Sequence, residues 1–107
     1  MTTTEEKFTC FICGYKTLDA RCDWDICPIC FWEDDILVQS DDDDRNSPAN
    51  GMTVSQAQAN FIRLGAVDMK SVENVRKPND DDELDSDWKP MRKAVELAKD
   101  DDKSTTN

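Results

Sequence analysis

The stretch Cys10-Phe11-Ile12-Cys13-Gly14 is answered further along the chain by Cys27-Pro28-Ile29-Cys30. Each C-x-x-C pair can wrap two sulfur ligands around one ion, and two such knuckles complete the tetrahedron that Zn²⁺ prefers. Residues 14–26 separate the pairs, a gap slightly shorter than usual that suits a compact β-hairpin. The chain has no histidine, which excludes mixed Cys/His sites. The sequence therefore predicts one four-thiolate zinc site, with the ligands Cys10, Cys13, Cys27 and Cys30.

Other uses of the cysteines stay open at this point. Two disulfides would require an oxidising compartment, and residues 1–7 show neither the basic region nor the apolar core of an export signal. A redox-active C-x-x-C of the thioredoxin type belongs to a βαβ context, which this cysteine-rich opening lacks. Iron in a four-sulfur cage has the same ligand count as zinc. Cys22, the fifth cysteine, is expected to be a free or partly buried thiol, because four sulfurs already close the site.

Length and charge set the scale of the molecule. A chain of 107 residues forms one domain that buries about two-thirds of its surface, so a bound metal would compensate for a small core. We expect that domain to span residues 8–99, with a zinc ribbon over 8–39 and a helical part over 52–99. The ends, 1–7 and 100–107, are polar and expected to be flexible. No stretch is apolar enough for a membrane span, and we expect a cytoplasmic protein.

The predicted fold class is α+β, with small β-hairpins of a four-cysteine zinc ribbon followed by two or three short helices. Residues 7–10 and 15–18 should form the first hairpin, with Gly14 supplying the positive φ that follows a C-x-x-C pair. Residues 24–26 should return as a strand into the second knuckle. The apolar run at 36–38 is predicted to be a further short strand.

The clearest helix is predicted over residues 53–64. Thr53 and Gln56 have the spacing of a capping box, and Gly65 stands where a helix ends in the left-handed conformation. Helical periodicity places one apolar face toward the core. That predicted face consists of Val54, Ala57, Phe61 and Leu64.

Two more helices are predicted with weaker patterns. The first spans residues 68–75, with Val72 and Val75 directed inward. The second spans residues 87–99, where Pro90 is tolerable in the first turn. The acidic run after residue 99 should fray its last turn, because negative charge is unfavourable at a helix C-terminus. The inward face of this last helix is predicted to consist of Trp88, Met91, Val95 and Ala98.

Longer strings around the knuckles carry a family resemblance. They are C-F-I-C-G-Y at 10–15, I-C-P-I-C-F-W-E-D-D at 26–35, A-N-G-M-T at 49–53, and A-N-F with G-A at 59–66. The chain resembles the bacterial cysteine-rich CPCC family over residues 8–66. Ile12 stands at the third position of the C-P-C-C motif that names the family, where the motif has its middle cysteine, while the two outer ligands remain. The resemblance implies no catalytic residues, and it implies that some members are immunity proteins encoded beside polymorphic toxins.

The charge balance bears on function. The formal net charge is -11, and zinc bound by four thiolates lowers it to about -13. Nucleic-acid binding needs Lys/Arg stripes that release counterions, so we expect no direct nucleic-acid contact. Dense negative charge instead accelerates capture of a basic partner, although acidity also simply keeps a small protein soluble.

These observations favour a binding protein over an enzyme. We expect an acidic zinc protein that neutralises a bacterial toxin domain by binding its basic surface, as a monomer within a heterodimer. The alternatives are an accessory zinc ribbon that contacts nucleic-acid machinery and a small hydrolase-like enzyme. The enzyme is disfavoured because a catalytic zinc keeps an open coordination position.

Candidate partner contacts are the acidic segments and two tryptophans. The acidic residues would steer association, and an aromatic anchor would hold the complex together. The predicted contacts are Trp32, Glu33, Asp34, Asp35, Asp41, Asp42, Asp43, Asp44, Asp80, Asp81, Asp82 and Trp88.

Overall fold

The computed structural model describes residues 7–20, 24–38 and 43–105, and in the last helix it describes side chains as far as Lys99. This part of the chain forms two small antiparallel hairpins, a 3-10 helix and two α helices, which confirms the small α+β class. The expectations for residues 1–6, Cys22, Asp41, Asp42 and residues 106–107 lie outside the described residues.

The first hairpin is the one predicted. Strand β1 (Phe8–Thr9) pairs antiparallel with β2 (Lys16–Leu18), with an irregularity in the register between Phe8 and Thr9. A later segment lies along the other edge of β2, where Tyr15 forms a bridge with Leu84. The hairpin is thus extended to three chain segments, which gives the first knuckle support from a distant part of the sequence.

A second, irregular ladder leads into the other knuckle. In place of the predicted strand at 24–26 there is a single bridge between Ile26 and Glu33. Beside it, the N–H of Trp24 donates to the carbonyl of Asp34, and the N–H of Asp34 donates to the carbonyl of Asp25. The predicted strand at 36–38 is wrong, because these residues turn instead.

Asp35 causes that turn. Its carboxylate accepts a hydrogen bond from the N–H of Leu37 at 2.8 Å, and its carbonyl accepts one from the N–H of Val38 at 2.9 Å. An aspartate that bonds the backbone two residues ahead competes with strand pairing, so the local bond outweighs the β propensity of the apolar run.

The third segment runs directly from a hairpin into a helix. Strand β3 (Asn46–Ser47) pairs antiparallel with β4 (Met52–Thr53), and α1 (Val54–Leu64) follows at once. The predicted capping box of Thr53 and Gln56 is present, and Gly65 ends the helix with φ of 81°. The predicted helix boundaries are confirmed. They could be predicted because capping depends on residues close together in the sequence.

The buried face of α1 is rotated relative to the prediction. Val54 and Ala57 are fully buried, but Phe61 and Leu64 are only half-buried. Gln58 and Ala59 are buried in their place. A polar residue at position 58 therefore occupies an interior site.

The predicted helix at 68–75 is a 3-10 helix, Met69–Asn74, capped by Asp68, whose carboxylate accepts from the N–H of Ser71 at 2.9 Å. Val72 is exposed, contrary to prediction, and Ser71 is the buried residue. With three residues per turn rather than 3.6, a 3-10 helix presents different positions to the core.

The last helix, α2 (Arg92–Thr105), starts later and ends later than predicted. Asp85 forms a turn with Asp87 and Trp88, so the chain reaches helical geometry only after Pro90. The acidic run after residue 99 does not end the helix, because an unfavourable charge at a helix terminus costs only about 0.3–1 kcal/mol. Its buried residues are Ala94 and Ala98, next to half-buried Met91.

The core lies around the cysteines, with α1 and α2 packed against each other beside it. No helix in the described ranges is both long and apolar enough to span a membrane. The fully buried members of this core include Cys10, Ile12, Leu18, Cys27, Ile29, Cys30, Trp32, Val38, Val54 and Ala57.

Candidate metal centre

The two C-x-x-C segments fold alike. In the first, the N–H of Cys10 donates to the carbonyl of Tyr15 at 2.9 Å, and the N–H of Gly14 donates back to the carbonyl of Cys10 at 3.0 Å. The second knuckle repeats both bonds. The N–H of Cys27 donates to the carbonyl of Trp32 at 2.9 Å, and the N–H of Phe31 donates to the carbonyl of Cys27 at 2.8 Å. The same small loop is therefore used twice, and each copy presents two sulfurs to a common centre.

The residue after each second cysteine has a left-handed backbone. Gly14 has φ of 81°, as predicted, and Phe31 has φ of 76° at the equivalent position. A bulky residue with positive φ is unusual, so the second knuckle imposes a strain that the first avoids with glycine. Gly14 is needed for space as well, since a Cβ there would lie 2.2 Å from the ring of Trp88.

The four sulfurs converge in the interior. Cys10 and Cys30 Sγ lie 3.5 Å apart, Cys13 and Cys27 Sγ lie 3.7 Å apart, and all four Sγ lie within 4.8 Å of one another. A tetrahedron of sulfurs at about 2.3 Å from zinc has edges of about 3.8 Å, so this spacing fits one metal ion. A disulfide would require about 2.05 Å, and all four cysteines are free. The predicted grouping is confirmed, while zinc and iron would both suit it.

The thiols do not ionise alike. Burial raises the pKa of Cys10 and of Cys30, whereas hydrogen bonds from Cys10 and the other thiols lower the pKa of Cys27. Four adjacent buried sulfurs cannot all carry charge by themselves, because each thiolate opposes the next. A divalent cation removes this conflict, since a coordinating thiol is deprotonated outright. The donor set is therefore matched to a thiophilic metal.

Thr17 makes a contact to the sulfur cluster that the sequence did not reveal. Its hydroxyl donates to Cys27 Sγ at 3.0 Å from strand β2. Groups that hydrogen-bond to ligands fix their orientation and tune the metal. Alternation along β2 could have placed residue 17 toward the knuckles, but nothing in the sequence identified the sulfur as its acceptor.

The first knuckle is held by α1 and by the turn that precedes α2. The carbonyl of Phe11 accepts from Gln58 Nε2 at 2.7 Å and from Trp88 Nε1 at 3.0 Å. Gln58 Oε1 in turn accepts from the N–H of Met91 at 2.7 Å. One buried amide thus joins the knuckle, α1 and the start of α2.

A sequence profile described as cysteine-rich CPCC matches residues 8–82. The chain belongs to the cysteine-rich CPCC family. The match runs past residue 66, where the visible resemblance ended, through the 3-10 helix to Asp82. Searches of curated proteins and of solved structures return no match.

In this CPCC protein, Ile12 occupies the place of the middle cysteine of the C-P-C-C motif. Its side chain is buried in the core beside the sulfurs. Four sulfurs already converge without a donor at that position. Ile12 therefore contributes packing, and the four converging sulfurs come from the two cysteines of each C-x-x-C pair.

The E-D-D string after the second knuckle is structural in this CPCC protein. Asp35 accepts from the Ser47 hydroxyl at 2.6 Å and from the N–H of Ala49 at 3.2 Å. The side-chain amide of Asn50 bonds both backbone groups of Glu33: its Oδ1 accepts from the Glu33 N–H at 2.8 Å, and its Nδ2 donates to the Glu33 carbonyl at 2.9 Å. These hydrogen bonds fasten the β3–β4 loop to the segment that follows the second knuckle.

Three predicted partner contacts are consequently wrong. Trp32, Asp34 and Asp35 have no exposed surface. A side chain without accessible surface cannot be a contact for a protein partner, whatever its charge. Trp32 packs in the core, and the buried carboxylate of Asp35 accepts three hydrogen bonds from other parts of the chain.

Other predicted contacts have internal partners as well. Trp88 is half-buried, and its indole covers Gly14 while bonding Phe11, so it is not a free anchor. Asp43 pairs with Arg45. Asp44 accepts from the N–H and hydroxyl of Ser55, both at 2.8 Å, which adds a cap to α1.

Among the predicted acidic contacts in the part of the chain that the structure describes, the segment after the 3-10 helix is the most accessible. Asp82 is held by Arg76 through bonds of 2.7 and 2.9 Å, which lower the pKa of its carboxyl to about 2. Asp80 and Asp81, by contrast, are exposed. Glu33 is half-buried, with its backbone rather than its carboxylate bonded to Asn50.

Proposed function

We propose that this CPCC protein is a cytoplasmic protein-binding protein, built around one structural Zn²⁺ and directed at a basic surface of another protein. In its specific form, the proposal is an immunity protein that neutralises a bacterial toxin domain by covering that surface. The observation that carries it is the distribution of charge over the described surface.

The metal in this proposal has a structural role. Zinc at Cys10, Cys13, Cys27 and Cys30 would supply a cross-link between the two knuckles. Four thiolates fill a tetrahedral zinc, and all four cysteines are buried, so neither an open coordination position nor solvent access supports catalysis there. Since binding to such a site is coupled to folding, the metal would contribute stability directly.

The exposed acidic segment supports a basic partner. Asp80, Asp81, Glu83 and Asp87 are exposed within residues 80–87, a segment anchored to β2 by the bond from the Lys16 N–H to the Glu83 carbonyl. A fixed cluster of carboxylates on a chain with net charge -11 attracts cations from a distance and raises association rates. Phosphate backbones would be repelled by the same field.

The toxin assignment rests on the family resemblance together with this charge. An antidote must bind its toxin before the toxin acts, and electrostatic steering is the physical means of fast capture. A toxin that acts on nucleic acid or nucleotide carries the Lys/Arg surface that these carboxylates would cover.

The test uses the metal-loaded chain and the polypeptide encoded by the neighbouring gene, which the proposal expects to be basic. Association is measured by stopped flow between about 50 and 500 mM salt, a range over which the Debye length shrinks severalfold. We expect the double variant Asp80→Asn with Asp81→Asn to slow association and flatten its salt dependence, with little effect on dissociation. The matched control neutralises two exposed acidic residues elsewhere, Glu73→Gln and Glu96→Gln.

Association that is indifferent to salt in the unmodified chain would remove steering from this account. The acidity would then serve solubility alone. An equal slowing by the control pair would mean that net charge matters and that the segment 80–87 has no special role.

A further inference from the structure

Four large apolar side chains are exposed beside the second knuckle, two on the short ladder and two on the turn that follows it. Trp24, Ile26, Ile36 and Leu37 expose 48%, 49%, 44% and 48% of their surface. We call these four residues the Trp24 patch. Single exposed apolar residues are ordinary, but several within one short segment mark an interaction surface.

The ladder fixes the backbone of the patch. The N–H of Trp24 donates to the carbonyl of Asp34 at 3.1 Å, and Ile26 bridges with Glu33 immediately before Cys27. At the other end, the Asp35 carboxylate holds the turn that contains Ile36 and Leu37. The patch is therefore presented by a framework tied to the metal site, so little ordering cost attends its binding.

Trp24 differs from the other two tryptophans of the chain. Trp32 is fully buried, and Trp88 is committed to the first knuckle. Trp24 is exposed and has φ of 64°, a left-handed conformation that is unfavourable for a bulky residue. Strained non-glycine residues cluster at functional sites, and tryptophan is the residue most enriched among binding hot spots.

The charges around the patch indicate its partner. Residues 24–38 contain neither lysine nor arginine, and of their four acidic residues Asp34 and Asp35 are buried while Asp25 and Glu33 are partly exposed, on a chain of net charge -11. A second copy of the chain would bring these like charges together, and nucleic acid would add more negative charge. The complementary surface is an apolar pocket ringed by Lys and Arg on another protein.

We infer that the Trp24 patch is the anchor of this chain on a Lys/Arg-rich protein, with Trp24 inserted into an apolar pocket of that protein. The inference rests on the proposed function and assigns association and dissociation to different parts of the surface. The segment 80–87 governs association, and the Trp24 patch governs dissociation, because apolar anchors act mainly on the lifetime of a complex.

The experiment begins with a photo-crosslinking amino acid at position 24 of the metal-loaded full chain, in cells of its source. The control carries it at Ile62, which is 51% exposed on α1. The protein captured at position 24 is then purified and titrated with the unmodified chain, with Trp24→Asn and with Ile62→Ala. Asparagine tolerates positive φ, so this variant deletes the ring while keeping the backbone. One metal equivalent and unchanged circular dichroism establish that each variant is folded.

We expect position 24 to capture a protein in which Lys and Arg outnumber Asp and Glu. Trp24→Asn should weaken binding by about 30-fold or more, mostly through faster dissociation, and Ile62→Ala by less than about threefold. In the unmodified complex, Trp24 fluorescence should become protected from acrylamide.

Capture of only a second copy of this chain, of a neutral or acidic protein, or of nothing would overturn the inference. Unchanged affinity of Trp24→Asn would do so too. If Trp24→Asn binds normally while the Asp80 and Asp81 variant still loses its salt dependence, the proposed function stands and the anchor is wrong. If Trp24→Asn keeps its affinity and the Asp80 and Asp81 variant keeps its salt dependence, both the anchor and the proposed function are contradicted.

Discussion

The hydroxyl of Thr17 lies 3.0 Å from the Cys27 sulfur, where it can donate to a metal-bound thiolate. We predict that Thr17→Val weakens metal binding by about tenfold, because a hydrogen bond that orients and stabilises the ligand is lost. Thr17→Ser keeps the hydroxyl and should restore binding. The measurement is competition for Zn²⁺ against a chromophoric chelator. Equal affinity of Thr17→Val and the unmodified chain would mean that the bond has no influence on the metal.

Asp35 makes stability depend on pH. Burial raises the pKa of its carboxyl, but hydrogen bonds from Ser47, Leu37 and Ala49 outweigh burial, and the net pKa is lowered. A carboxyl whose pKa is lower in the folded chain stabilises it above the unfolded value of about 3.9, and this stability is lost as pH falls through the folded value.

We predict that Asp35→Asn costs about 2 kcal/mol of unfolding free energy at pH 7, because bonds to a charged acceptor are lost. The difference from the unmodified chain should stay constant between about pH 5 and 7 and shrink below about pH 4. Urea unfolding of both metal-loaded proteins across this range measures it. Metal release in acid affects both proteins, so the difference isolates the carboxyl. A difference that grows in acid would contradict this assignment.

At the scale of elements, Gln58 joins three parts of the fold. We predict that Gln58→Leu destabilises the protein by about 2–3 kcal/mol, because the buried N–H of Met91 loses its acceptor while the side-chain volume is nearly kept. Ala59→Ser on the same helix is the control for a buried polar change without that bridge. Thermal or urea unfolding gives the comparison. A loss below about 1 kcal/mol would mean that water replaces the amide at little cost.

The sequence predicted elements where local chemistry decides them. The C-x-x-C spacing located the ligands, and Thr53, Gln56 and Gly65 located both ends of α1. Sequence-based prediction failed where a residue distant in the chain decides the local structure or the burial of a side chain. Asp35 turns residues 36–38 because Ser47 and Ala49 stabilise its carboxylate, and Gln58 is buried because Phe11 and Met91 lie on either side.

The same limit affected the candidate contacts. Acidic residues were expected at the surface because isolated burial of a carboxylate is costly. Asp35 avoids that cost through three hydrogen bonds whose donors lie elsewhere in the chain. Composition also drew attention to Trp32 and Trp88, whereas the exposed tryptophan is Trp24. Exposure is a property of the assembled fold and cannot be read from a residue's type.

At the scale of the whole molecule, one small core surrounds the sulfur cluster. The four cysteines are themselves members of that core, so the metal would hold together the region where most buried apolar side chains meet. A chain this short buries comparatively little surface, and a metal bound at these cysteines would add stability. The acidic surface carries some self-repulsion, and under the proposed function it serves to bind a basic partner.

The central claim is that one zinc ion at Cys10, Cys13, Cys27 and Cys30 holds this fold together. Native mass spectrometry of the full chain, purified without chelator, tests it most directly. The account predicts a folded species heavier than the bare chain by one zinc, and the loss of that species in Cys10→Ser or Cys27→Ser but not in Cys22→Ser. A compactly folded chain that carries no metal, or that carries iron in place of zinc, would contradict the account.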